Sequence, residues 1–434
     1  MADLTANLAG ITSPNPFWLA SGPPTNTGDQ VARAFEAGWG GAVWKTIGEP
    51  IENTWSRYSS VDLNGSRMMG LSNIELITDR SLEVNLKEIR EVKRRYPDHA
   101  VVVSAMVESK REAWHTVVKQ IEDTGADGVE LNFGCPHGMS ERGMGSAIGQ
   151  VPEYCSQITE WAKEVAETPV IVKLTPNITD IRSAARAAET GGADAISLIN
   201  TVNSITGVDL DTMTPRPIVG NRSSHGGYCG PAVKPIALNM VAAIAGDPAT
   251  AKVPLSGIGG VTTWRDAAEF ILLGATNVQV CTAVMHYGFR IVEGMIDGLS
   301  NYLDGKGMSS VAELRGQSVG RVTEWQHLDL NYIIKAEIDQ EACIGCALCY
   351  IACNDGAHQA IGAERSDDGR TRVWIKYDDC VGCNLCSLIC PVEGCITMVE
   401  QDTEFPALTW AEVEDGADVA TLAPRPKHDL TLEV

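Results

Sequence analysis

Several shortages in this sequence narrow what the protein can be. Basic residues are few, 34 lysines and arginines against 56 aspartates and glutamates, leaving a net charge of −22. A surface built to neutralise phosphates needs the opposite balance, so the charge argues against nucleic-acid binding. No apolar run approaches the ~20 residues of a membrane-spanning helix. The opening MADLTANLAG lacks the basic and then apolar segments of a secretory leader. A cytoplasmic protein is expected, in which thiols stay reduced and clustered cysteines hold metal rather than form disulfides. Also missing is a strand that leads into G-x-G-x-x-G, the glycine fingerprint of a dinucleotide fold, which weakens an open doubly wound sheet as the rival architecture.

What is present is a long repeated phrase. From Phe17 to about Val284 a short apolar run, a polar loop and an amphipathic stretch recur. The runs are FWLA (17–20), AVWKTI (42–47), VVVSAM (101–106), VELNF (129–133), VIVKL (170–174), AISLIN (195–200), PLSGIGG (254–260) and VQVCTAV (278–284). Near-continuous apolarity and β-branched content suit parallel strands buried on both faces. Eight of them alternating with helices predict a (β/α)8 TIM barrel, followed by a small ferredoxin-like domain. The divisions expected are a barrel over 1–304, a helical connection over 305–335, a cysteine-rich domain over 336–400 and an acidic tail over 401–434.

The small domain is defined by its thiols. The runs at Cys343, Cys346, Cys349, Cys353 and at Cys380, Cys383, Cys386, Cys390 both have the C-x2-C-x2-C-x3-C spacing of bacterial ferredoxins. Three thiolates of a run hold one cubane and the fourth reaches to the other. Cys343, Cys346, Cys349 and Cys390 are therefore assigned to one [4Fe–4S] cluster, and Cys380, Cys383, Cys386 and Cys353 to a second. Zinc explains a duplicated run ending in Cys390-Pro391 poorly, and disulfides conflict with the compartment. Asn354, where proline would be usual, is the one departure. Cys155, Cys229, Cys281 and Cys395 are expected to be small packing residues, with Cys229 and Cys281 near the barrel's cofactor.

Clusters pass electrons singly, and flavin is the usual converter to two-electron chemistry. Polar residues stand at the carboxyl ends of the predicted strands, where barrel enzymes place their chemistry. Gly259, Gly260 and Thr282 could hold a phosphate after strands seven and eight. Lys45 and Lys173 could face an anionic reduced flavin. Either feature alone is more often structural; together they point to FMN.

The run ELNFGCPHG…ERGMG, with KLTPN (173–177), INTV (199–202) and the ferredoxin-like end, resembles the dihydropyrimidine dehydrogenases. Among them the chain looks like the catalytic subunits of the bacterial NAD-dependent enzymes, within the dihydroorotate dehydrogenase superfamily. The resemblance covers nearly the whole chain and implies FMN in the barrel and reduction of uracil and thymine to their 5,6-dihydro forms. It implies substrate contacts from Asn73, Glu75, Asn132, Phe133, Gly134, His137, Asn200 and Thr201. Flavin contacts are implied for Ala20, Ser21, Lys45, Thr46, Asn132, Lys173, Gly230, Gly259, Gly260, Thr282 and Ala283, and the role of catalytic acid for Cys135. Gly134 departs from the serine of mammalian relatives, and their amino-terminal FAD and NADPH domains are absent. A separate FAD-containing, NADH-binding flavoprotein subunit is the implied partner.

The chemistry agrees. A pyrimidine edge alternates N–H donors and C=O acceptors, which carboxamides match. Hydride addition at C6 leaves charge at C5, and a thiol with a reference pKa of about 8.5 is protonated at neutral pH and can supply the proton. Cys135, in a glycine-rich loop after the fourth strand, is placed for it; His137, a lone loop histidine, is secondary. Two rivals are dihydroorotate oxidation, whose carboxylate-bearing substrate would want a cationic anchor, and a non-catalytic electron-transfer scaffold.

Overall fold

A computed structural model describes residues 2–52, 55–63, 66–136, 138–366 and 369–423. Eight parallel strands close into a barrel: β1 (Phe17–Leu19), β2 (Gly41–Ile47), β3 (Ala100–Ala105), β4 (Gly128–Asn132), β5 (Val170–Lys173), β6 (Ala195–Leu198), β7 (Leu255–Ile258) and β8 (Ala275–Val280). Each pairs with the next, and β8 pairs with β1. All eight overlap the apolar runs, and β2, β3 and β8 are buried along their whole length.

Alternate residues of each strand face the barrel interior, and their character changes along the strand. Towards the amino ends Trp18, Val43, Val102, Ile171 and Ala195 form one buried cluster, closed by Leu8 and Ile11 of an amino-terminal hairpin. Two residues further on, the same face carries Lys45, Ser104, Lys173 and Ser197. The barrel is thus sealed with hydrocarbon at one end and polar at the other.

Helices follow the strands: α1 (Gly28–Ala37), α2 (Leu82–Arg95), α3 (Arg111–Glu122), α4 (Pro152–Lys163), α5 (Ile181–Thr190), α6 (Lys234–Ala245), α7 (Trp264–Leu272) and α8 (Ile291–Gly305). Side-chain caps fix several starts, among them Thr27, Asp180 and the Thr263–Asp266 capping box. Apolar faces such as Trp114, Val117, Val118 and Ile121 of α3 lie in the main core, each worth roughly 1.5–3 kcal/mol when fully buried. None of the described helices is long and apolar enough to cross a membrane.

The long loops after β2 and β6 are not irregular. Tyr58–Leu63 and Ser66–Asn73 from the first, with Val202–Ser204 and Gly226–Cys229 from the second, form a four-stranded antiparallel sheet. This cap sheet was not foreseen: its strands are short and polar.

Residues to Val322 form one compact unit and Thr323–Val434 a second. The second contains two antiparallel strand pairs, Ile333–Ile338 with Ile396–Gln401, which bracket the unit, and the hairpin of Ile361–Arg365 with Thr371–Ile375. Its helices Leu348–Gly356 and Leu385–Ile389 each follow a repeated turn in which Gly345-Cys346-Ala347 matches Gly382-Cys383-Asn384. Both glycines have left-handed φ, 70° and 72°. A side chain at Gly382 would also strike the Ile334 carbonyl, so glycine is required twice over.

Phe133, expected at the substrate, is fully buried in the main core with its ring edge-on to Trp114 at 6.0 Å. It is one residue past β4, where the alternation turns it away from the interior occupied by Asn132. Phe133→Ala should therefore cost the larger unit about 3–5 kcal/mol. Denaturation should show this loss with little change in substrate KM; a raised KM at unchanged stability would return the ring to the site.

Candidate functional site

A cavity opens at the polar end of the barrel, with about 1150 Å³ of empty space counted to its open mouth. Barrel strands supply Ala20 and Ser21, Lys45 and Thr46, Asn132, Lys173, Asn200 and Thr201 to its wall. Gly259 and Gly260 follow β7, and Thr282 and Ala283 follow β8. The cap sheet and its flanks add Tyr58, Asn73, Glu75, Tyr228 and Gly230. Cys135 lies on the same wall, 9% exposed. Gly134 and Phe133 do not line the cavity, and His137 lies outside the described residues.

Asn132 is the hub. Its Nδ2 donates to Thr46 Oγ1 at 3.0 Å. Its Oδ1 accepts from the Gly134 and Cys135 amides, both at 3.2 Å, and from Asn200 Nδ2 at 3.1 Å. The amide oxygen is thereby committed to the protein, and what it holds is the turn that carries Cys135. A side chain at Gly134 would lie 2.4 Å from the Asn200 Cβ, so this glycine lets Asn200 close on Asn132. Thr46 Oγ1 continues the network to Ser21 at 3.1 Å and Ser104 at 3.0 Å.

Glu75 ties the cap to the floor. It accepts from Lys45 Nζ at 2.7 Å and from Tyr58 OH at 3.0 Å, and Arg57 Nε stands 3.3 Å from its second oxygen. Burial, with the Glu75 charge next, pushes the Tyr58 hydroxyl well above its usual pKa, so it donates and does not ionise. Asn73 Nδ2 donates to the Gly227 carbonyl at 3.0 Å and its oxygen accepts from the Glu75 amide. Lys173 meets a second carboxylate: Glu130, fully buried beneath it, stands 3.8 Å from its Nζ. Tyr58, Arg57 and Glu130 were not anticipated. Glu130 was within reach of sequence reasoning, because it precedes Asn132 by two on the same strand.

Where β7 ends, Gly259 and Gly260 have φ of 132° and 74°. A Cβ on Gly260 would approach the Gly230 carbonyl and Lys234, both at 2.9 Å, and one on Gly259 would press Ala237 at 2.7 Å. The backbone there is bare and close to the start of α6, the form of a phosphate cradle. Lys234 is held by Asp266 and Glu269. Of the two extra cavity thiols, Cys229 accepts from Thr282 Oγ1 at 3.2 Å. Cys281 is pushed up to about 12 by burial and stays a thiol. These residues fit a flavin mononucleotide: lysines for its polar ring edge and glycine amides for its phosphate.

Among the described residues of the small unit, cysteines line two cavities. One, about 320 Å³, is lined by Cys343, Cys346, Cys349 and Cys390, together with Cys395. The other, about 350 Å³, is lined by Cys353, Cys380, Cys383 and Cys386. Each therefore gathers three thiols of one run and the last of the other. None of the thirteen cysteines is in a disulfide. Among the described residues no three metal-binding side chains converge as a single ion requires; four thiols around a cavity suit the larger cubane. Cys395, expected to be a packing residue, lies among the first set.

Comparison with known proteins agrees with both units. Residues 3–303 match the dihydroorotate dehydrogenase family, and residues 336–398 match a 4Fe-4S dicluster domain. The chain is 43% identical over 399 residues to the NAD-dependent dihydropyrimidine dehydrogenase subunit PreA of Escherichia coli, covering 92% of this chain and 96% of that protein. It is 41% identical to the chloroplastic dihydropyrimidine dehydrogenase (NADP(+)) of Arabidopsis thaliana over 78% of this chain and 82% of that one. It is also 39% identical to the dihydroorotate dehydrogenase B (NAD(+)) catalytic subunit of Pyrococcus abyssi, over 72% of this chain and 98% of the relative.

Five thiols around one cavity make a sharp test. Cys390→Ala should bring iron down from about eight atoms per chain to about four, whereas Cys395→Ala should retain about eight. Iron analysis with the reverse result would exchange their roles.

Proposed function

The chain belongs to the dihydroorotate dehydrogenase family and carries a 4Fe-4S dicluster domain, and from that premise we propose that it reduces uracil and thymine to their 5,6-dihydro forms. The supporting observation is that the Cys135 thiol shares one cavity with Lys45, Lys173, Asn73 and Asn200. Ala20, Ser21, Lys45, Thr46, Lys173, Gly230, Gly259, Gly260, Thr282 and Ala283 would hold FMN, which when bound supplies hydride to pyrimidine C6. Asn73, Asn200 and Thr201 read the pyrimidine edge. Asn132 fixes the backbone of the Cys135 turn, and the Cys135 thiol delivers the proton to C5. Cys343, Cys346, Cys349 and Cys390 would hold one cluster and Cys353, Cys380, Cys383 and Cys386 the other, groups that when bound would supply one-electron transfer toward the flavin. Eight ligand thiols need a reducing compartment, so the cytoplasm is the proposed setting.

Dihydroorotate oxidation is the second reading, favoured by the family and by the Pyrococcus relative. Charge in the cavity disfavours it. Lys45 is engaged by Glu75 and Lys173 by Glu130, leaving neither as an uncommitted anchor for a substrate carboxylate. A neutral uracil needs none. An inert electron-transfer scaffold would have no use for a thiol held by an asparagine hub on the wall of a polar cavity.

Cys135→Ala should leave flavin binding intact and lower pyrimidine reduction by about 10²–10⁴, the usual contribution of a positioned acid. Near-normal turnover would remove Cys135 from the mechanism. The partner is tested separately. No dinucleotide fingerprint follows a strand in this sequence, so electrons from NADH are proposed to enter through a FAD-containing subunit that docks on the cluster domain. The purified chain should reduce uracil with dithionite but not with NADH, and the flavoprotein subunit should restore NADH-dependent turnover. Robust NADH-driven reduction by the chain alone would overturn this arrangement.

A further inference from the structure

Glu130 has no place in the chemistry above, yet its setting is unusual. It is fully buried on β4, two residues before Asn132 and on the same face. One carboxylate oxygen accepts from Ser197 Oγ at 2.8 Å, with Gln279 Nε2 at 3.5 Å. Gln279 is itself held by Ser256 at 3.0 Å. The other oxygen makes no hydrogen bond and stands 3.8 Å from Lys173 Nζ. Lys173 and Gln279 line the cavity and Glu130 does not, so the carboxylate acts on the cavity from behind these two side chains, of which the lysine is the cationic one.

We propose that Glu130 is a positioning residue that sets, through Lys173, the positive charge presented to the flavin. The inference rests on the flavin reading of the cavity. A buried ammonium without a counter-charge would favour the reduced, anionic form of a flavin beside it, and charge near the ring is a recognised means of tuning its potential. Glu130 offsets part of that charge. Ser197 and Gln279 hold the carboxylate to one side, so that it meets the lysine without displacing it. A buried charge costs heavily unless paired, which accounts for a glutamate among the hydroxyl and amide side chains of the barrel interior. In this arrangement the flavin keeps a potential low enough to hand electrons onward to a pyrimidine instead of retaining them.

The test is the two-electron midpoint potential of the FMN-loaded protein at one fixed pH. Glu130→Gln, of equal size, should raise the potential by the equivalent of tenfold or more in the oxidised–reduced equilibrium, about 30 mV per tenfold. Lys173→Met should lower it, and Glu130→Gln made in the Lys173→Met background should have no further effect. If Glu130→Gln does not yield flavin-loaded protein, Ser197→Ala carries the test. It removes a donor that disperses the carboxylate's charge and should shift the potential downward. An unmoved potential in the flavin-loaded variant would overturn the proposal, as would an equal shift in the Lys173→Met background. Failure of the unsubstituted protein to bind FMN would overturn the flavin reading itself and this inference with it.

Discussion

The ion pair between Lys45 and Glu75 holds the functional half of the molecule together. Its partners are 2.7 Å apart, with side chains only 7% and 14% exposed. Lys45 belongs to barrel strand β2 and Glu75 follows the cap sheet, so one carboxylate joins the floor of the cavity to its roof. Tyr58 and Arg57 add further donors to the same group. A buried pair of this kind is no great source of net stability, because both charges lost their water. Losing one partner, however, strands the other and typically costs about 3–5 kcal/mol. The pair is therefore better understood as fixing one arrangement of cap over barrel. The same pairing sets a carboxylate against one of the lysines on the cavity wall.

The barrel reaches this state by a simple change along its interior. Hydrocarbon fills one end, around Trp18, Val43, Val102 and Ile171. Lys45, Ser104, Glu130, Asn132, Lys173 and Gln279 occupy the other, where one oxygen each of Glu130 and Gln279 makes no hydrogen bond among the described residues. Asn132 shows how a strand-end carboxamide on the cavity wall is also held by the protein. Its place at a strand end suggested a group that reads substrate, yet its oxygen is committed to the Gly134 and Cys135 amides and to Asn200. That oxygen holds the turn on which the thiol is carried.

Much of this was legible in the sequence, for definite reasons. Parallel strands buried on both faces leave continuous apolar runs, so all eight were visible. Ferredoxin spacing is set by the cubane, so the thiols that share each cavity could be sorted before any coordinates. The cap sheet left no such trace: YSSVDL and RMMGLSN are short and mixed, they pair with each other, and the second is joined to Gly226–Cys229 far along the chain. Tyr58 and Arg57 were hidden with it. Phe133 was misplaced because the family motif runs through it, whereas the alternation of β4 carries its ring outward to Trp114. Cys395 is buried in the core of the small unit, as a small hydrophobe would be, and the same folding sets it beside Cys343 and Cys390 in one cavity.

The central claim is that a charge-balanced cavity, with Cys135 on its wall, passes hydride and proton to a neutral pyrimidine. Anaerobic single-turnover mixing tests it most directly. Protein whose flavin has been fully reduced with dithionite is mixed with uracil in one arm and with orotate in the other, and flavin absorbance is followed. The account predicts rapid reoxidation by uracil with one dihydrouracil formed per flavin, and neither reoxidation nor a binding-induced spectral change with orotate. Rapid reoxidation by orotate, with uracil inert, would contradict it.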